Sequence, residues 1–357
     1  MTTVLIPESV WAIGKEVFLG CNNLASISVD EKNIAFQSIN GSLYTKDGKI
    51  FKQYAIANTA TAFSVQEGVT TIEKGAFYNS SLVNISLPDS VTSIEEYAFC
   101  DNARLVSINV PSGVTKIEKY AFSSCKSLTN ITIPSGVTKI DSFTFDGCTS
   151  LVSIEMNNIT SIGESAFRNC SSLTGISIPN SVKEIKSYAF YSCSSLTSVE
   201  LPNGLASLSY GVFGWCTNLV RVTIPNSVTD IEAFAFYSCV HLKSIEIPDS
   251  VTRIGRNAFD DCKDLESVSL GSGLEAIGDY AFEDCKKLTS IFIPNSVVDI
   301  GWYAFKGCDG LKQVVFENPN GWIVVQGVTS FDIEVFDSAL AADYLTKTHY
   351  SKEWRRN

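Results

Sequence analysis

Apolar residues return along this chain in one sentence of sequence, most cleanly I-P-N-S-V-x-x-I-x-x-x-A-F-x-x-C-x-x-L-x-x-I, with polar residues in the places between. Its Phe falls at Phe18, Phe77, Phe99, Phe122, Phe145, Phe167, Phe190, Phe213, Phe236, Phe259, Phe282 and Phe305, nearly always about 23 residues after the last. In the unit from Ile178 to Ser198 and onward, Val199 and Leu201 face one way and Glu200 the other, the period-two pattern of a strand buried on one side. Pro202 follows at once, as do Pro88, Pro111, Pro134, Pro179, Pro225, Pro248 and Pro294 in their units. A fixed φ and a missing N–H turn the chain there without breaking a ladder, and an Asn-Gly or Asn-Ser pair completes the turn. V-T-x-I then predicts a second short extended piece with Val and Ile inward, and x-x-A-F-x-x-C predicts about one helical turn on the outer side. Ala suits that tight place, and Val17, Thr144 and Val212 substitute for it with larger side chains.

A fixed period of 20 to 29 residues built on Leu and Ile is the mark of a leucine-rich-repeat solenoid, which grows by adding coils and needs only one elongated domain. The expected fold is α/β or β-rich, a right-handed curved coil. It has a parallel β-sheet on its concave face, and short extended pieces with single helical turns on its outer face. The boundaries read as a first repeat over 1–30, an irregular repeat with a β-hairpin insertion over 31–65, regular repeats over 66–316 and a C-terminal cap over 317–357. Asn40-Gly41 and Lys46-Asp47-Gly48, set between alternating apolar residues, carry the hairpin signal. MNNITSI, between Met156 and Ile162, is one residue short and lacks its Pro, so a different turn is expected there. In the tail, 337–346 reads as helical, and together with Trp322 and Trp354 it would cover the open end of the solenoid. Trp11, Trp215 and Trp302 stand at variable outer positions and read as covers for neighbouring side chains.

Ten of the 11 cysteines occupy one repeat position: Cys21, Cys125, Cys148, Cys170, Cys193, Cys216, Cys239, Cys262, Cys285 and Cys308, with Cys100 out of phase. Neighbouring coils lie about 4.8 Å apart, but stacked Cβ vectors run parallel, against the S–S dihedral, so the column reads as buried thiols used as small hydrophobes. A linear stack also cannot wrap a tetrahedral metal, and no metal or cofactor is expected. A net charge of −11 argues against nucleic acid and anionic membrane surfaces. No stretch reaches the roughly 18 to 20 apolar residues of a membrane span. The opening MTTVLIPESVWAIG lacks the basic start and apolar block of a secretory signal. Two readings follow: a cytosolic protein, or one whose leader precedes Met1.

The units SVTSIEEYAFC and IPNSVTDIEAFAFYSCVHLKSI, the inserted SINGSLYTKDGKIFKQY and the ending NGW…AADYLTKTHYSKEWRRN resemble the BspA-type leucine-rich-repeat proteins, the Treponema pallidum repeat class. The resemblance covers essentially the whole chain and implies the fold strongly. It also implies a surface or secreted protein of host-associated bacteria, engaged in adhesion to matrix proteins or other cells.

Candidate chemistry is sparse. Only His241 and His349 could serve as an imidazole base; His241 follows Cys239 by two residues, but that Cys belongs to the core column, and His349 reads as a packing or surface residue beside Tyr350. No P-loop, HExxH, CxxC or dinucleotide motif is present. The most informative column is the outward residue between the last two strand hydrophobes, which includes Thr132, Glu155, Ser177, Glu200, Thr223, Glu246, Phe292 and Val315. Successive Glu in it should lie about 10 Å apart from two coil spacings, beyond the roughly 6.5 to 9.5 Å of an inverting glycosidase pair. One column over, Arg221 and Lys243 interrupt a run of Ser, Asn and Gly. Phe292 and Val315 either lie under the cap or form a small hydrophobic binding spot. The candidate ligand-binding set is therefore Thr132, Glu155, Glu200, Arg221, Thr223, Lys243, Glu246 and Phe292. The function it suggests is noncatalytic binding of a protein or glycan partner; an intracellular scaffold and a polysaccharide hydrolase using the carboxylate stripe are the alternatives.

Overall fold

The computed structural model describes residues 2–326, 329–332, 335 and 337–356. Met1, and with it the question of the natural start, lies outside the described residues, as do 327–328, 333–334, 336 and 357 of the expected cap. The chain forms two compact units, Met1–Pro179 and Asn180–Asn357. Each is a stack of leucine-rich-repeat coils, and each coil supplies two short strands to two separate parallel ladders.

The S-I-x-I segments make the first ladder. In the first unit Asn130–Ile133 pairs with Ser153–Met156, placing Ile131 against Ile154 inside and Thr132 against Glu155 outside. In the second, Ser198–Glu200 pairs with Arg221–Thr223, and Ser244–Glu246 with Ser267–Ser269. The V-T-x-I pieces make the other ladder: Thr71–Ile72, Ser93–Ile94 and Lys116–Ile117 in the first unit, and Ser207–Leu208 through Asp299–Ile300 in the second. Between the two, a Pro carbonyl accepts the N–H of the Val three residues on, at 3.0 Å for Pro111 and Val114 and again for Pro225 and Val228. The unit that lacks its Pro bends at 157–158 instead, where the Asn158 amide donates to Ser135 O of the preceding coil at 3.1 Å.

The expected helical turn is replaced by a run of β-turns. The N–H groups of Ala121, Ser123 and Cys125 donate to the carbonyls three residues back, those of Glu118, Tyr120 and Phe122, at 3.2, 3.1 and 3.2 Å. The alternate N–H groups, of Tyr120, Phe122 and Ser124, donate instead to Ser142, Thr144 and Asp146 of the next coil at 3.2, 2.9 and 2.7 Å. A helix would spend all of these donors within itself. Left-handed φ angles at Tyr120 (60°) and Ser124 (58°), four residues apart, keep these turns from running on as a helix. The second unit repeats the arrangement, with Phe234, Phe236 and Ser238 donating to Arg256, Ala258 and Asp260 at 2.9, 2.8 and 2.8 Å.

Inside these turns lie the phenylalanines. Phe190, Phe213, Phe236, Phe259, Phe282 and Phe305 are fully buried, and within the unit each ring stacks on the next with centroids 5.2–5.6 Å apart. The first unit differs from the sequence expectation at its start. Phe51, from the irregular repeat, stacks on Phe77 at 4.6 Å and opens the column. Phe18 is half-buried and packs on the cluster of Ile6, Leu24, Ile27, Phe36, Leu43 and Ala55.

The cysteines do more than fill space. Cys239 Sγ donates to Phe213 O at 3.2 Å, Cys262 to Phe236 O at 3.3 Å and Cys308 to Phe282 O at 3.0 Å, each reaching the preceding coil. Asn102 holds the same place in its coil, and its amide makes the same bond to Phe77 O at 3.0 Å. The column therefore selects a small side chain with one donor.

The irregular repeat folds as an antiparallel meander, Phe36–Ile39, Ser42–Thr45 and Ile50–Gln53, turning through Asn40 and Gly41 at φ 52° and 74°. Its last strand joins the parallel ladder at Thr71–Ile72, and the buried Lys52 ammonium bonds both carboxylate oxygens of Glu73 at 2.6 and 2.7 Å. At the chain end, Glu353–Arg356 pairs antiparallel with Asp299–Ile300 and with Trp322–Gln326. Trp322 and Trp354 are buried beside Phe316, at 4.9 and 6.3 Å. A short helix, Ser338–Asp343, is capped by the Asp337 carboxylate, which accepts from Ala339 and Leu340 N–H, and continues as a π-helical turn over Tyr344–Thr348.

Two outcomes follow. Phe236→Ala should cost about 3–5 kcal/mol, because rings above and below cannot close the gap, and urea denaturation will measure it. Burial pushes the Cys216 thiol up to about 12 and carries Cys239 and Cys262 well above the ordinary range. Cys21 alone is half-buried among 11 free thiols. A chromogenic thiol reagent at pH 8 should thus titrate one thiol in the folded chain and 11 in denaturant.

Candidate functional site

The outward strand positions are held by the buried residues on either side of them. Val222 and Ile224, then Ile245 and Ile247, are fixed in the core, so Thr223 and Glu246 project from rigid backbone. In the second unit these two side chains line one groove together with Asn203, Asn226, Asp249 and Ser269, and its volume is about 490 Å³. Pro225 and Pro248 form one side. Gly271 stands where the two preceding coils carry those prolines, and a Cβ there would lie 2.5 Å from the Pro248 carbonyl. Only glycine lets that coil close against Pro248 and end the groove.

Asp249 is held in place by its neighbour. Its Oδ1 accepts from Ser272 N–H at 2.6 Å and from Ser272 Oγ at 3.0 Å, and these bonds hold its carboxyl below the usual range. The groove thus presents Glu246 and Asp249, two amides and two hydroxyls on fixed backbone, a set able to bond hydroxyl and amide groups of a ligand.

The sequence-derived candidates divide among three places. Thr132 and Glu155 meet in the first unit, where Thr132 Oγ1 donates to Glu155 Oε2 at 3.2 Å. Glu200 lies across from Thr223 in the second, beside Arg221, which faces Ser198. Arg221 and Lys243 do not share a column. Lys243 sits one residue ahead of its strand, and its carbonyl accepts from Glu266 N–H at 2.9 Å. Phe292 pairs with Val315 near the chain end and both remain about half exposed, while Val335 and Ser338 of the terminal segment line a pocket beside Val315. His241 is bonded through Nδ1 to Asp264 at 2.8 Å, while the Cys239 thiol points into the core. Burial holds His349 below the ordinary imidazole range.

Sequence reading missed Asn203, Asn226 and Asp249. They sit in the proline turns, one residue past each Pro, where Asn and Asp read as turn formers. Trp11, Trp215 and Trp302 stand exposed on the outside, and the Trp215 ring lies against Tyr237 at 6.0 Å. Among the described residues no helix is long and apolar enough to cross a membrane.

Changing Ser272 to Ala should raise the Asp249 carboxyl part of the way toward its ordinary pKa, the Ser272 N–H still holding it down. A pH titration of side-chain carboxyl signals by NMR will record the upward shift.

Comparison with known proteins places this architecture. The model of the BspA type leucine rich repeat region, in six copies, matches residues 1–52, 49–170, 138–265 and 229–332. No curated protein matches the sequence. Among solved structures, a leucine-rich repeat protein from Bacteroides ovatus is 26% identical with a TM-score of 0.64, over 87% of this chain and 80% of that one. A leucine rich cell surface protein from Faecalibacterium prausnitzii is 26% identical with a TM-score of 0.47, over 76% of this chain and 79% of that one. The T. pallidum leucine rich repeat protein is 33% identical with a TM-score of 0.40, over 54% of this chain and 82% of that one. With matches running from residue 1 to residue 332, the chain belongs to the BspA-type leucine-rich-repeat family.

Proposed function

We propose that this chain is a noncatalytic recognition and adhesion protein of a bacterial cell surface, which engages a protein or glycan partner through its outward strand face. The groove of the second unit carries this reading. Its carboxylates, amides and hydroxyls stand on strands and proline turns whose inward neighbours are locked in the core, so little conformational freedom is lost on association. Thr132 and Glu155 extend the same chemistry to the first unit. Placement at the cell surface rests on what membership in the family implies.

Such a surface gains affinity from many modest polar contacts, with Glu200, Glu246 and Arg221 supplying the charged ones. Purified chain should bind members of a glycan array or a panel of immobilised matrix proteins. A variant with Glu155, Glu200, Glu246 and Arg221 changed to Ala should lose about tenfold or more in affinity while unfolding at the same temperature. Unaltered binding by that variant would place the contact surface elsewhere.

A further inference from the structure

Each coil has two left-handed backbone positions, one before the Ala place and one before the Cys place. The second is filled by Gly20, Asn79, Asp101, Ser124, Gly147, Asn169, Ser192, Ser238, Asp261, Asp284 and Gly307, small or polar residues suited to positive φ. Trp215 alone departs from this, a bulky ring at φ 60° that is 44% exposed. Aromatic residues hold the same angle at the place before Ala, as Tyr120, Tyr188 and Phe234 do, so Trp215 is set apart by its place and its exposure: its backbone N–H donates to Tyr237 O at 2.7 Å and its ring meets Tyr237 at 6.0 Å, while much of the indole stays in solvent.

The same coil is altered at two further places. Gly211 and Gly214 occupy the positions that carry Tyr188 and Tyr191 one coil earlier, and Phe234 and Tyr237 one coil later. The neighbouring rings take the vacated room: a Cβ on Gly211 would lie 2.8 Å from Tyr188 ring atoms, and one on Gly214 would lie 2.9 Å from those of Tyr191. The aromatic residues of the coil move instead to Tyr210 and Trp215, which stand out beside them. Elsewhere the turn-side rings stack flat, Tyr120 on Phe143 at 5° and Tyr280 on Tyr303 at 11°, which covers ring faces. Here Tyr188, Tyr191, Tyr210, Trp215, Phe234 and Tyr237 meet at 46–82° with centroids 5.2–6.0 Å apart. Edge-to-face contact covers fewer ring faces than flat stacking, and Tyr210 and Trp215 stand exposed at the edge of the cluster.

We propose that this cluster is a second binding site, for an uncharged oligosaccharide whose pyranose C–H faces rest on the exposed Tyr210 and Trp215 rings while its hydroxyls bond the Tyr210 hydroxyl and the Glu232 carboxylate, which already accepts from Tyr210 N–H at 2.9 Å. The electron-rich faces of aromatic rings attract the polarised C–H groups of a sugar. The six side chains are Tyr, Trp and Phe, with no Lys or Arg among them to hold an acidic glycan, and a chain of net charge −11 repels one. The match is to a neutral ligand. The site lies on the turn side and shares no residue with the groove lined by Thr223 and Glu246, so each can fail without the other.

The test titrates the full chain with neutral gluco-, galacto-, manno- and N-acetylglucosamine-based oligosaccharides at low and high salt, read by calorimetry and Trp emission. At least one series should bind with an affinity indifferent to salt and shift the emission. Trp215→Phe should abolish most of the emission change. Trp215→Asn should weaken binding about two- to tenfold while unfolding at the same or a higher temperature, since Asn79 and Asn169 hold the equivalent position. Gly214→Ala, which displaces Tyr191, should also weaken binding, and Glu246→Ala should not. The proposal is overturned if no neutral oligosaccharide binds, if Trp215→Asn binds as the unaltered chain does, if Trp215→Asn loses stability and so exposes a structural role, or if only cationic or peptide ligands bind, with affinity falling as salt rises.

Discussion

The structure depends on how each coil divides its backbone donors. In the turn segment every second N–H closes a turn of its own coil and every other one reaches the next coil. Both sets of amides are thereby bonded, and consecutive coils are held in register atom by atom. The fully buried Phe stack and the thiol bonds to Phe carbonyls both presuppose that register. A slip of one residue would exchange the inward and outward amides and take the rings out of line.

What the sequence discloses follows from which residues are constrained one by one. The Phe, Ala, Cys and Leu places are each surrounded by the same neighbours in every coil, so they read as a pattern. The two left-handed places do not read: the one before Cys, small or polar except at Trp215, is not singled out by the repeat, and before Ala Tyr97, Tyr120, Phe143, Tyr188 and Phe234 all adopt left-handed angles, which nothing in an aromatic residue announces. The helical turn was therefore the natural reading of A-F-x-x-C, and the alternating amides make it false. Phe51 was hidden for another reason. It enters the Phe stack from an antiparallel strand, outside the repeat that identifies the others.

The candidate site was legible only in part. Thr223 and Glu246 are outward residues of an alternating strand, so their exposure could be counted off. Asn203, Asn226 and Asp249 join them in space through the proline turns, and turn residues carry no periodic sign of where they point. The placement of Lys243 shows the same limit, since a one-residue change in where a strand begins moves a side chain to another column. Gly271 is plain only once the Pro248 carbonyl is seen against it.

The bonds that join coils connect residues separated by a nearly constant stretch of sequence, 22 for Phe122 and Thr144 and again for Phe236 and Ala258. Closing each new winding therefore costs about the same entropy wherever it occurs, because that cost depends on loop length. Whole windings can then be gained or lost by duplication in the gene without a new kind of closure, and ordering can begin at any interior winding and spread outward. Changes of chain length in whole periods are tolerated by this architecture, while a shift of one or two residues must be absorbed locally, as the bend at 157–158 absorbs its missing residue.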